Sequence, residues 1–100
     1  MFSQLENIKG KFIEVGKTLS DPAAMADMKR YTQLNKEYRD LEKVVKVYDE
    51  YRNVLSNIDT NKEIIATESD EEFRDLAKND MAALEVEKQK LEDELKTLLV

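Results

Sequence analysis

Carboxylates are the side chains here that come closest to a chemical constellation. Asp59 and Glu63, and likewise Glu71 and Asp75, stand four residues apart, which puts each pair on neighbouring turns of one helix face. Such pairs can exchange a proton or hold a hard cation. A carboxylate metal site inside a helical bundle, however, uses inward-facing Glu together with Glu-x-x-His. This chain contains no His, and both pairs fall away from the apolar stripes described below. Neither a metal site nor an acid–base site is expected, and no cofactor is implied. Without Cys or His, a thiol nucleophile, a Ser–His pair and the usual Zn, haem and Fe–S ligand sets are excluded. Gly10 and Gly16 are the only glycines, so there is no phosphate-binding loop.

The four tyrosines, Tyr31, Tyr38, Tyr48 and Tyr51, could stack on nucleobases if exposed and flanked by cations. Lys29, Arg30, Lys36 and Arg39 are near them, but acids alternate with these cations, and the tyrosines follow an apolar stripe. Packing, with hydroxyls reaching the edge of a seam, is the reading. The chain as a whole carries −6 at neutral pH. From Asp59 to Asp75 seven acids (Asp59, Glu63, Glu68, Asp70, Glu71, Glu72, Asp75) face only Lys62 and Arg74, a net charge of −5. Phosphates would be repelled there, so direct nucleic-acid contact is not expected. Most charge runs are simply solvated faces. If this one has a function, it is contact with a basic protein, and Glu68, Asp70, Glu71, Glu72 and Asp75 are the candidate partner-binding residues.

The elements that position these residues are helical. Leu5, Ile8, Phe12, Val15 and Leu19 step by three and four, which predicts a helix over 3–19. Gly16 lies beside that stripe, where a second helix can approach closely. Ser20-Asp21-Pro22 ends it, with Asp21 capping a short turn over 22–25 and Asp27 capping the next helix. Tyr31, Leu34, Tyr38, Leu41, Val45 and Tyr48 continue the 3–4 spacing, in a helix expected over 28–66. Leu41 is expected in the core and Glu42 outside it. The apolar arc is broad up to Tyr51 and narrows through Val54, Leu55, Ile58, Ile64 and Ile65, so the first helix should cover only the first half of the second. Asn57–Lys62 has weak helix propensity and is the place where that helix could bend or break. Ser69-x-x-Glu72 matches a capping box for a third helix over 70–98. Its expected core stripe is Phe73, Leu76, Ala77, Leu84, Leu91, Leu95 and Leu98, with Met81 beside it.

The expected fold is therefore all-α: an antiparallel three-helix bundle, or elongated coiled-coil-like hairpin, with a shorter N-terminal helix. Residues 1–100 are read as a single helical domain. The acidic tip between the second and third helices should project past the end of the first. Nothing reads as a membrane span or a secretory signal, and the lack of Cys fits a cytoplasmic setting. The apolar ending Leu98-Leu99-Val100 reads as a cut through a longer protein.

The ordered string of motifs resembles one family. Leu19-Ser20-Asp21-Pro22, then Arg30-Tyr31, then Leu34-Asn35-Lys36-Glu37-Tyr38 with Leu41-Glu42, then Phe73-Arg74-x-Leu76-Ala77 and Leu95-x-x-Leu98-Leu99 are similar to the N-terminal helical domain of bacterial peptide chain release factor 1. The absence of Trp favours that family over the sister release factor 2. The resemblance implies an accessory domain of a class I release factor, acting in translation termination at stop codons. It also implies a position near the stalk base of the large ribosomal subunit, and an influence on the recycling GTPase release factor and on the release-factor glutamine methyltransferase. The family's Gly-Gly-Gln hydrolysis motif and its Pro-x-Thr codon-reading tripeptide are absent from these residues, so no catalytic residue is assigned. The alternative is a free-standing helical-hairpin adaptor or chaperone-like interaction module.

Overall fold

A computed structural model describes residues 1–100. It is all-α, with three helices, one short 3-10 turn and no strand. Helix α1 spans Phe2–Ser20, α2 spans Met28–Thr67 and α3 spans Glu71–Leu98. The 3-10 turn, Pro22–Ala26, joins α1 to α2.

The punctuation follows from local chemistry. Asp21 has the extended geometry that a residue before proline must adopt (φ −76°, ψ 124°), and its Oδ1 accepts the Ala23 N–H at 3.0 Å. Pro22 opens the turn, where its missing N–H costs nothing. Asp27 Oδ1 accepts the Arg30 N–H at 3.1 Å and so caps α2. The weak run at Asn57–Lys62 does not interrupt α2, which is continuous over 40 residues, about 60 Å at ~1.5 Å per residue. Tertiary burial outweighs propensity there: Val54, Ile58 and Asn61 are all buried.

Two compact units divide the chain, Met1–Lys46 and Val47–Val100. In the first, α1 runs antiparallel to the start of α2. Its N-terminal residues line a cleft with Leu41, whereas Gly16, further along α1, faces Tyr38, earlier on α2. A Cβ at Gly16 would come within 3.2 Å of Tyr38 Cε2, so glycine permits this approach; the Tyr38 ring stacks on Phe12 with centroids 4.5 Å apart. Leu5 and Val15 are buried, while Leu41 is only half-buried, with part of its side chain in the open cleft. Leu41 therefore does not have the fully enclosed place that its spacing suggested.

In the second unit, two cross-helix hydrogen bonds set the register. Tyr51 Oη donates to Glu92 Oε1, and Asn61 Nδ2 to Asp80 Oδ2, each at 2.7 Å. Going forward on α2 goes backward on α3, the signature of an antiparallel hairpin. Tyr48, Tyr51, Val54, Ile58, Ala77, Leu91 and Leu95 form its buried side, with Tyr48 and Leu95 almost wholly sealed. The tyrosines thus pack: Tyr48 and Tyr51 are buried and Tyr31 and Tyr38 half-buried. The stripe expected on α3 is only partly used. Leu98 is 37% exposed, and Phe73 and Leu76 are 59% and 58% exposed. The small Ala77 sits buried in the seam beside those last two. The residues that end α2 and open the turn, Ala66, Thr67 and Glu68, are too small or too polar to cover them.

Candidate functional site

The α2–α3 connection is three residues long, Glu68–Asp70, and each end of it is tied by a carboxylate. Asp70 Oδ1 accepts the Glu72 N–H at 2.9 Å and caps α3. Glu68 Oε1 accepts the Asp70 N–H at 3.1 Å. The cap expected at Ser69 therefore lies one residue later. An Asp carboxylate accepts more strongly than a Ser hydroxyl, and Glu68 takes the reciprocal role expected of Glu72. Glu71 and Glu72 occupy the first turn of α3, where the helix dipole favours negative charge. Asp70→Ala is accordingly expected to destabilise by about 1 kcal/mol, and Ser69→Ala by under roughly 0.5 kcal/mol. Urea denaturation midpoints of the two variants check the assignment; equal midpoints would restore Ser69 as the cap.

This divides the five candidate residues. Glu68, half-buried, and Asp70, exposed, hold the turn. Glu71, Glu72 and Asp75 are exposed and line a shallow surface cleft with Leu76 and Asn79. Leu76 also lines a second cleft of about 410 Å³, between the two helices at the turn end of the hairpin. Helix α2 contributes Asn61 and Ile64 to it and the connection Glu68; α3 adds Phe73, Ala77 and Asp80. The Asn61–Asp80 hydrogen bond belongs to the wall of this cleft.

Phe73 and Leu76 are thus part of the candidate site, whereas their spacing had placed them in the core. The readable signal was what stands opposite them. Ile64 and Ile65 are the last large apolar residues of α2, and the five residues that follow, Ala66 to Asp70, include none. The paired carboxylates, Asp59 with Glu63 and Glu71 with Asp75, are exposed. No group of three or more His, Cys, Asp or Glu side chains is placed to hold a metal ion. The site offers an acidic, partly apolar surface. Tyr51, in the same unit, is perturbed: burial, the hydrogen bond to Glu92 and the charge of Glu92 push its pKa up to about 12.

Comparison with known proteins places the chain. The PCRF domain model matches residues 8–100, and the chain belongs to the PCRF domain family. Over its 100 residues it is 45% identical to the peptide chain release factor 1 of Cytophaga hutchinsonii and 46% identical to that of Amoebophilus asiaticus. It is 42% identical to the peptide chain release factor 1 of Parabacteroides distasonis. All of this chain is covered in each case, but it spans only 28%, 28% and 27% of those relatives. No solved structure gives a significant match. No helix is long and apolar enough to cross a membrane.

Proposed function

We propose that these residues form the N-terminal accessory domain, a single helical domain, of a class I peptide chain release factor that acts in translation termination at stop codons. The observation that carries this is the match over the whole chain to proteins named peptide chain release factor 1. Peptidyl-tRNA hydrolysis belongs to the Gly-Gly-Gln portion of the parent protein, and this domain contributes binding rather than chemistry. Its setting is the cytoplasm. Its partner is the ribosome, near the stalk base of the large subunit, and it influences the recycling GTPase release factor and the glutamine methyltransferase. The acidic α2–α3 turn is the surface through which it meets protein: the carboxylates of Glu71, Glu72 and Asp75 take no part in the hydrogen bonds that hold the turn and present their charge to solvent. The free-standing adaptor reading has no comparable observation behind it.

A chimera tests the proposal. The matching N-terminal portion of the Cytophaga hutchinsonii relative is replaced by this chain, and peptide release is followed on ribosomes halted at a stop codon. Release near the parent rate is expected, and none from the 100-residue chain alone. A folded chimera that no longer associates with the ribosome, or a chain that releases peptide by itself, would overturn the reading.

A further inference from the structure

We propose that the cleft at the turn end of the α2–α3 hairpin docks a basic amphipathic protein segment. An apolar side chain of that segment seats against Phe73 and Leu76, and its Lys or Arg residues meet the surrounding carboxylates. The proposal deepens the accessory-domain reading and rests on it for its biological setting.

Three features carry it. First, Phe73 and Leu76 leave more than half of their surface in water although they lie one turn apart on the same helix. A small domain that spends two of its larger apolar residues this way forgoes the stabilisation their burial would give. Second, Ile64 and Ala77 join Phe73 and Leu76 in the cleft's apolar lining, which is open to an anchor from a partner. The Asn61–Asp80 hydrogen bond, at 2.7 Å, ties the two helices together within its wall, so both sides are held in place before anything binds. Third, Leu76 belongs both to this cleft and to the one lined by Glu71, Glu72 and Asp75, which makes the apolar floor continuous with an acidic face. Glu68 and Asp80 add carboxylates to the cleft itself.

Charge complementarity selects the occupant. With −5 between Asp59 and Asp75, an approaching phosphate backbone or acidic segment is repelled, while a cationic one is drawn in and oriented. A purely basic segment would leave the apolar floor wet, and a purely apolar one would leave the carboxylates unmatched. A helix with apolar residues on one face and Lys or Arg on its flanks satisfies both, the mode by which amphipathic helices dock in grooves.

The test uses the 100-residue chain and a synthetic helical peptide of Leu and Lys with Leu at helical spacing. The controls are a Lys/Ser peptide of equal charge, a Leu/Glu peptide and an oligouridylate. The Leu/Lys peptide should bind at least about tenfold tighter than the Lys/Ser peptide. Its amide shift changes should gather at 61–80, and neither the Leu/Glu peptide nor the oligouridylate should bind. Phe73→Ala with Leu76→Ala should weaken the Leu/Lys peptide by about tenfold or more. Ile13→Ala, which removes an exposed apolar side chain on α1, should not. Should the double variant lose its helical signal, Asp75→Lys leaves the cleft walls in place, and weaker binding by it serves as the same test. Failure of the Leu/Lys peptide to bind, equal binding of the Lys/Ser peptide, full affinity in the folded double variant or in Asp75→Lys, or binding of the oligouridylate would each overturn the proposal. An active chimera whose domain fails this test discards the cleft and keeps the accessory-domain reading; an inactive chimera with intact peptide binding does the reverse.

Discussion

Replacing Leu95 with alanine is expected to lower stability by about 2–5 kcal/mol. The side chain is 0% exposed, and the register set by Tyr51–Glu92 brings it level with Tyr48, itself 1% exposed. Truncation therefore removes apolar contact and leaves a void whose walls, a large ring among them, cannot readily close. In a chain of this size each kcal/mol lowers the melting temperature by about 4–8 °C, so the loss should be at least about 8 °C. Leu41→Ala is expected to cost less, because Leu41 already borders an open cleft where its neighbours can settle. Glu42→Ala, at an exposed position, should stay under roughly 0.5 kcal/mol. Thermal and urea melts of the three variants give the order directly. A Leu41→Ala loss as large as that of Leu95→Ala would mean that both leucines are equally enclosed.

Raising the pH should weaken the α2–α3 hairpin through Tyr51. The phenol is buried and donates to Glu92 Oε1 at 2.7 Å; its ionised form would sit desolvated, without a proton to donate, against a carboxylate. Its pKa of about 12 in the folded chain lies above the value near 10 of an open chain, so folding favours the protonated form. The resulting stabilisation is fully present below pH ~10 and is lost as pH rises through about 12. Phenolate absorbance should show a tyrosine titrating at about 12 that is absent from Tyr51→Phe. That variant should also lose about 1.5–3 kcal/mol at neutral pH, the worth of a hydrogen bond to a charged acceptor. Glu92→Gln should bring the Tyr51 titration down, since it removes the facing charge and keeps the carbonyl oxygen. An unchanged high-pH titration in Tyr51→Phe would assign the perturbed phenol to a different residue.

The use of Glu68 and Asp70 in the turn changes how the acidic surface must be probed. Charge reversal at Glu68 would remove the acceptor of the Asp70 N–H, so lost binding could not be separated from a loosened turn. Asp75 lies beyond the first turn of α3 and is the better position for asking whether charge alone recruits a partner.

The helical segments were legible from spacing alone, because period 3.6 in the apolar residues is a local property that survives without knowledge of neighbours. Leu5 and Val15 on α1, Tyr48 and Ile58 on α2, and Leu91 and Leu95 on α3 were legible that way, as were the caps at Asp21 and Asp27, whose chemistry acts within three residues. The family was legible too, in the order of motifs from Leu19 to Tyr38. Other features depended on what stands opposite a residue, which no local pattern encodes. Asn57–Lys62 stays helical because Ile58 and Asn61 are buried there. Phe73 and Leu76 are exposed because the end of α2 has nothing large to lay over them, so a stripe that reads as core becomes an open cleft. The cap moved from Ser69 to Asp70 because two acceptors competed within one short turn, and the carboxylate is the stronger. Burial is settled between elements, which is why the first two points needed the tertiary structure; the cap was settled inside the turn itself, by bonds spanning two residues.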